Sequence, residues 1–324
     1  RTPRLDRMAD LGVRFANAHS TPLCTPSRVA IMTGRSSVRN YVDFGALAPG
    51  EYTFAKLFRA AGYATAIAGK WQLQGSANSP GTAPEDAGFD TYCLWNTAKT
   101  SRERYWNPSI EQDGKLLDLP ADAYGPDVFA DFLIRFMETN RDRPFFAYYP
   151  MALVHDPFVP TPDSADRSSR DEQRNFEDMV AYMDKIVGRI DDAVDRLGLR
   201  ERTVVIFTSD NGTHKNIRSE LNGRTIQGSF WPRIRGEAGS PREWLYTWYF
   251  PRPYARQFDG AYNHPEVRFA RDARYKLYGD GRLFDLTADP EEKQVVTGDP
   301  GGARSKLSRA LDEMPAVNPR VPKR

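Results

Sequence analysis

The feature that most constrains the fold is a recurring order of amphipathic helix, turn and apolar run along the first two thirds of the chain. Phe54 to Ala61 reads as a helix ended by Gly62, and Tyr63 to Ala68 reads as a strand that delivers Gly69-Lys70-Trp71 at its carboxyl end. Val128 to Thr139 repeats the scheme, with a strand over Phe145 to Tyr149 and His155 just beyond it. From Asp171 to Leu197, Phe176, Met179, Met183, Ile186, Ile190 and Val194 fall at spacings of three, four and seven, which predicts a long amphipathic helix stopped by Gly198. Thr203 to Thr208 is a nearly unbroken apolar run, the mark of a central parallel strand buried on both faces, and it ends in Ser209-Asp210-Asn211-Gly212. This alternation argues for an α/β fold with a mostly parallel sheet flanked by helices. Ligands of open α/β sheets sit outside the carboxyl ends of the strands, so Lys70, His155 and Asp210 fall where a site belongs.

The ends of the chain have a different character. Thr2-Pro3 opens a short helix with Leu5 and Met8 on one face, Gly12 closes it, and Val13 to Ala16 reads as a strand running toward Cys24. After Gly228 comes an irregular aromatic stretch containing Trp231-Pro232-Arg233 and Arg242-Glu243-Trp244. Strands over Val267 to Phe269 and Tyr275 to Tyr278, a Gly279-Asp280-Gly281 turn and a strand over Arg282 to Leu286 then predict a small antiparallel subdomain. The domain division read from this is 1–228 and 229–324. Pro315, Pro319 and Pro322, interleaved with Arg320, Lys323 and Arg324, read as a frayed tail.

Between the first helix and the first repeat lies Leu23-Cys24-Thr25-Pro26-Ser27-Arg28-Val29-Ala30-Ile31-Met32-Thr33-Gly34-Arg35. Thr25 suits an N-cap, Pro26 the first helical position and Gly34 the stop, which places Cys24 at a helix N-terminus. The free amides and partial positive charge there favour an oxyanion, and Arg28 adds a planar fork suited to sulfate or phosphate. A free cysteine in such a place is otherwise a packing residue. Three residues separate Cys24 from Arg28, too few for a phosphatase loop of the tyrosine-specific kind. Asp210 and Asn211 offer adjacent hard oxygens that suit Ca²⁺ or Mg²⁺, although Asp-Asn-Gly is also an ordinary turn.

Composition excludes some partners. Lys plus Arg at 45 against Asp plus Glu at 43 leaves a net charge of +2 over 324 residues, which gives no global pull toward nucleic acid or a membrane surface. No apolar run approaches the roughly 18 residues of a membrane span. Cys24 and Cys93 are the two cysteines; neither number nor spacing suggests a disulfide framework or zinc site, and Cys93 reads as a buried filler.

The Cys24 run, with its C-x-P-S-R pattern followed by Thr33-Gly34-Arg35, is similar to the signature of type I sulfatases of the alkaline phosphatase superfamily. Phe207 to Gly212 looks like that family's second metal motif, Gly69-Lys70-Trp71 like its sulfate-contacting lysine motif, and Val154-His155-Asp156-Pro157 like the stretch whose histidine approaches the leaving group. Arg274-Tyr275-Lys276-Leu277 and Leu283-Phe284-Asp285-Leu286 with Asp289-Pro290 extend the resemblance. It implies an alkaline-phosphatase-like fold and hydrolysis of sulfate monoesters, most often on carbohydrates. It also implies that a maturing enzyme, formylglycine-generating or anaerobic, converts Cys24 to formylglycine, whose hydrated form attacks sulfur. Cys24, Asp210 and Asn211 would meet a divalent metal, Ca²⁺ or Mg²⁺. Arg28 and Lys70 would neutralise charge and His155 would assist the departing alkoxide. A periplasmic or secreted location is the family expectation.

The chain departs from that pattern in three places. Gln72 stands where the family usually has a histidine, and glutamine donates a hydrogen bond but carries no titrating proton. Paired metal-binding aspartates ordinarily precede the segment matching Arg1 to Asp6, and a second sulfate-binding lysine ordinarily follows the segment matching Asn222 to Ile226. These departures predict a truncated or internally deleted sulfatase with impaired metal binding. Rival readings are a phosphonate or phosphate monoester hydrolase of the same superfamily, and an inactive fragment or sulfated-glycan binder. His214 and Lys215 are weaker site candidates, and His19 and His264 carry no signal.

Overall fold

The computed structural model describes residues 1–15, 18, 20–21, 23–214, 216–221, 224–227, 245–249 and 267–314. Its main sheet has five strands in the order Lys115–Leu116, Glu111–Gln112, Thr91–Trp95, Ala64–Lys70 and Phe145–Tyr148. Ala64–Lys70 lies parallel to both neighbours, with Ala68 opposite Cys93 and Ala64 opposite Phe145, while the two short strands form an antiparallel edge. The central strand is buried along its whole length.

Alternation along this strand divides the core between the two sheet faces. Ala64, Ala66 and Ala68 face one side, where they meet Phe129, Leu133 and Phe136 of the helix Gly125–Thr139 and Met179, Tyr182 and Ile186 of the long helix. Ile67 faces the other side, against Val29 and Met32 of the Cys24 helix, Ala55, Trp71 and Phe89. Small alanines on the first face let the helix Gly125–Thr139 sit close to the sheet; larger residues fill the second.

The long helix runs Glu172–Arg196, with Asp171 as its N-cap accepting from Arg174 N and Gly198 in the left-handed region just past its end. Arg189 on this helix donates to Asp127 and Asp131 of the helix Gly125–Thr139. The first helix, Pro3–Asp10, is tied to the long helix through buried Asp184, whose carboxylate accepts from the amides of Arg4 at 3.0 Å and Leu5 at 2.9 Å.

Two predicted strands are absent among the described residues. Thr203 to Thr208 has no ladder partner among the described residues, and Val204 and Ile206 are 85% and 81% exposed. Val13 and Phe15 likewise lie exposed in irregular chain. An apolar run becomes a buried strand only where neighbouring backbone pairs with it on both sides, and Ala64–Lys70 takes the central place instead.

Toward the C-terminus, Leu245–Tyr249, Val267–Arg271, Tyr275–Tyr278 and Leu283–Asp285 form a second, antiparallel sheet in that order. The helix Ala303–Glu313 packs Leu307, Ala310 and Leu311 against Ala270, Leu277 and Leu283. The aromatic stretch at 231–233 and 242–244 and the proline-rich tail lie outside the described residues, as do His19, Lys215, Asn222, Gly223 and His264. No helix among the described residues is long and apolar enough to cross a membrane. Cys24 and Cys93 are both free thiols, and burial pushes the Cys93 thiol up to about 12, which leaves it an inert core residue.

Candidate active site

The Cys24 helix spans Cys24–Thr33 and ends at Gly34 in the left-handed conformation. Leu23, in extended backbone, is the N-cap, so Thr25 does not cap the helix and Pro26 sits at the third helical position rather than the first. The Thr25 hydroxyl instead accepts from Gly45 N at 3.1 Å, and the Ser27 hydroxyl accepts from Thr21 N at 2.9 Å. Both hydroxyls tie loops to the helix start. At its other end Thr33 accepts from Asn40 and Arg35 pairs with buried Glu51 at 2.8 Å.

As the first helical residue, Cys24 carries one of the amides that has no partner inside the helix. In the amide orientation that satisfies its neighbours, Asn211 Oδ1 accepts from Cys24 N at 3.1 Å. The Cys24 thiol lies 3.5 Å from Gln72 Oε1. The helix start therefore meets the end of the central strand on one side and the 210–211 turn on the other.

The strand end is held in three ways. Gly69 has φ +111° and a Cβ there would lie 2.2 Å from the Pro150 carbonyl oxygen, so only glycine lets Lys70 N reach that carbonyl at 2.8 Å. Trp71 and Gln72 continue the pairing by donating to the Trp95 and Asn96 carbonyls, each at 2.8 Å, and Gln72 itself has φ +53°. Buried Arg28 donates from its two terminal nitrogens to the carbonyls of Lys70 and Trp71, which spends the ends of its fork on the backbone and leaves Nε without a partner.

Lys70 is buried, and loss of hydration pulls its ammonium below the ordinary lysine range. The Asp210 carboxylate opposes this shift, while Arg28 and Arg104 add to it. His155 is also held below its usual value, by desolvation and then by the charge of Lys70, against the pull of Asp156. The side chain of His155 is half-exposed, and its Nδ1 lies 2.8 Å from Asp156 Oδ1 and 2.9 Å from the Asp156 carbonyl. An Nδ1–H that donates to Asp156 leaves Nε2 as the nitrogen free to exchange a proton.

Cys24, Arg28, Lys70, Asp210 and Asn211 thus form one cluster, with His155 joined to it through Lys70. The His214 ring lies 5.6 Å from that of Phe158, and its Nδ1 accepts from Asn216 N. Arg104 is a member that the sequence reading missed. Its guanidinium lies 4.5 Å from the Trp95 ring and its terminal nitrogen 3.4 Å from His155 Nδ1, 51 positions away in the chain.

A Ca²⁺ shell takes about six to eight oxygens. The cluster supplies one carboxylate, Asp210, and one amide, Asn211, whose oxygen is engaged by Cys24 N. Among the described residues no group of three or more His, Cys, Asp or Glu side chains is placed to hold a metal ion. These donors alone do not fit a calcium ion.

Comparison with known proteins gives the family and the fold. A sequence profile described as Sulfatase matches residues 1–232, and the chain belongs to the sulfatase family. Arylsulfatase A of Homo sapiens is 32% identical over 254 residues, covering 65% of this chain and 47% of that protein. The N-acetylglucosamine-6-O-sulfatase of Bacteroides thetaiotaomicron is 35% identical over 168 residues, covering 50% of this chain and 27% of that protein. In fold, the phosphonate monoester hydrolase of Agrobacterium radiobacter superposes with a TM-score of 0.67 at 17% identity, covering 97% of this chain and 90% of that one. The fold is therefore the alkaline-phosphatase-like one. The chain spans about half the length of arylsulfatase A. Membership of the family implies a metal ion and a formylglycine.

Proposed function

We propose that this protein hydrolyses sulfate monoesters, with a sulfated carbohydrate as substrate and Cys24 as the precursor of the nucleophile. The observation that carries this reading is the meeting at Cys24 of a helix N-terminus, the Asn211 amide and Gln72, beside a buried lysine. A formylglycine at position 24, installed by a maturing enzyme, supplies an oxygen nucleophile when hydrated. The chain's own residues then bind and orient. The Lys70 ammonium holds the sulfuryl oxygens, helped by the Thr25 amide of the first helical turn, and a desolvated ammonium gains most from such an anion. Arg28 positions Lys70 by fixing the carbonyls at the strand end. As the bond between sulfur and the leaving oxygen breaks, His155 Nε2–H gives its proton to the departing alkoxide while Asp156 holds Nδ1–H.

Asp210 and Asn211 would face a metal ion in this reading, and these two alone do not complete its shell. The division into a catalytic part, 1–228, and a smaller C-terminal part, 229–324, belongs to the same proposal. Hydrolysis of a phosphonate or phosphate monoester is the second reading, favoured by the likeness to the Agrobacterium enzyme. Paired aryl sulfate and aryl phosphate substrates separate the two. Preference for the sulfate, lost in Cys24→Ala, supports the proposal. Preference for the phosphate supports the second reading, and no turnover of either after co-production with a maturing enzyme points to a binding protein or inactive fragment.

A further inference from the structure

Arg104 is a cation that the sulfate chemistry above does not use. It lies in the segment between the strands Thr91–Trp95 and Glu111–Gln112, clamped between rings, with its guanidinium carbon 4.5 Å from the Trp95 centroid and 5.4 Å from that of Tyr105. Tyr105 is itself fixed, since its hydroxyl donates to the carbonyls of Ala152 and His155. The clamp therefore holds Arg104 in register with the His155 loop. Its Nε is buried without a partner.

Nothing described nearby neutralises this charge. Arg104 makes no ion pair with a carboxylate among the described residues. The adjacent carboxylate, Asp156, is engaged by His155 Nδ1 at 2.8 Å. If Nδ1 donates to Asp156 it has no lone pair for Arg104, so their 3.4 Å approach is a contact between a cation and a ring rather than a hydrogen bond. Its charge is felt at both Lys70 and His155, and it lowers the pKa of each. A sulfate monoester brings a single negative charge, and the Lys70 ammonium already answers it. A preorganised guanidinium beside that ammonium matches a second anion, and its planar fork suits a carboxylate or sulfate.

We propose that Arg104 recognises a second anionic group of the substrate, a carboxylate or a further sulfate, next to the sulfate bound at Lys70. This inference rests on the sulfate-site reading and adds the substrate class: a polyanionic rather than a singly charged ester.

The test is binding calorimetry on a Cys24→Ala background, which removes turnover, with three probes: phenyl sulfate, 3-carboxyphenyl sulfate and benzene-1,3-diyl disulfate. The two dianions are expected to bind about tenfold more tightly than phenyl sulfate, the gain of one charged hydrogen-bonded pair. Arg104→Gln is expected to remove that preference, with a smaller loss for phenyl sulfate. Which dianion loses more distinguishes carboxylate from sulfate as the group read. Arg104→Lys, which keeps the charge without the fork, is expected to hold intermediate selectivity, and it carries the test if Arg104→Gln does not fold. Binding of phenyl sulfate with no preference for either dianion, or a preference unchanged in both variants, would overturn this inference alone. Binding of no probe would overturn the sulfate-site reading together with it.

Discussion

The Cys24 thiol and the Gln72 amide oxygen lie 3.5 Å apart, one at the start of a helix and the other just past the end of the central strand. Gln72 reaches that point in a left-handed backbone conformation fixed by its bond to Asn96. An amide here orients the residue at position 24 but cannot take up or release a proton in the working pH range. Gln72→Ala is expected to lower turnover of 4-nitrophenyl sulfate about tenfold, the worth of one oriented hydrogen bond. Gln72→His is expected to add a titrating limb to the pH–rate profile that the parent lacks. An unchanged profile in Gln72→His and unchanged turnover in Gln72→Ala would remove Gln72 from the site.

His155 sets the pH dependence. Its pKa is depressed, chiefly by desolvation and next by Lys70. As a proton donor it works in the charged form, so activity is expected to fall as pH rises through a value below the ordinary histidine range of about 6.5. His155→Gln should flatten that limb. The same shift acts on stability with a defined sign. Below about 6.5 the unfolded chain protonates this histidine before the folded chain does, so the folded state loses stability as pH drops toward the folded pKa. A limb that survives in His155→Gln belongs to another group.

Arg28 and Lys70 are neighbours with opposite expected effects. Arg28→Met leaves two carbonyls without charged donors and is expected to cost on the order of 3 kcal/mol, read as a drop in denaturant midpoint. Lys70→Met removes a desolvated ammonium and is expected to leave stability unchanged or raised, while turnover falls about a hundredfold or more. A Lys70→Met protein that unfolds would show that the lysine holds the fold rather than the substrate.

Ile206 is exposed, in the run that its composition marks as a strand. Ile206→Asp is expected to change unfolding free energy by no more than about 0.5 kcal/mol, as for an exposed site. A loss of several kcal/mol would mean that the segment is buried in a sheet.

Much of the α/β frame was legible because it is written in short-range periodicity. Gly62, Gly198 and Gly34 mark the helix ends as expected, and the strands over 64–70 and 145–148 deliver Lys70 and lead to His155. The run at 203–208 was misread because its apolar character says what the segment could bury, and pairing decides whether it does. Thr25 was misread as a cap because side-chain type was weighed without the hydroxyl's competing partner, Gly45 N. Nothing local in the sequence connects Ser101-Arg102-Glu103-Arg104 to a histidine 51 residues later. Aromatic neighbours on a basic residue were the available signal.

The central claim is that Cys24, at the meeting of helix, strand end and 210–211 turn, becomes the nucleophile of a sulfate ester hydrolase. Mass spectrometry of the peptide spanning Cys24, from protein co-produced with a cysteine-type maturing enzyme, tests it most directly. The account predicts a peptide in which the thiol-bearing side chain has become an aldehyde. An unmodified thiol throughout the sample would contradict it.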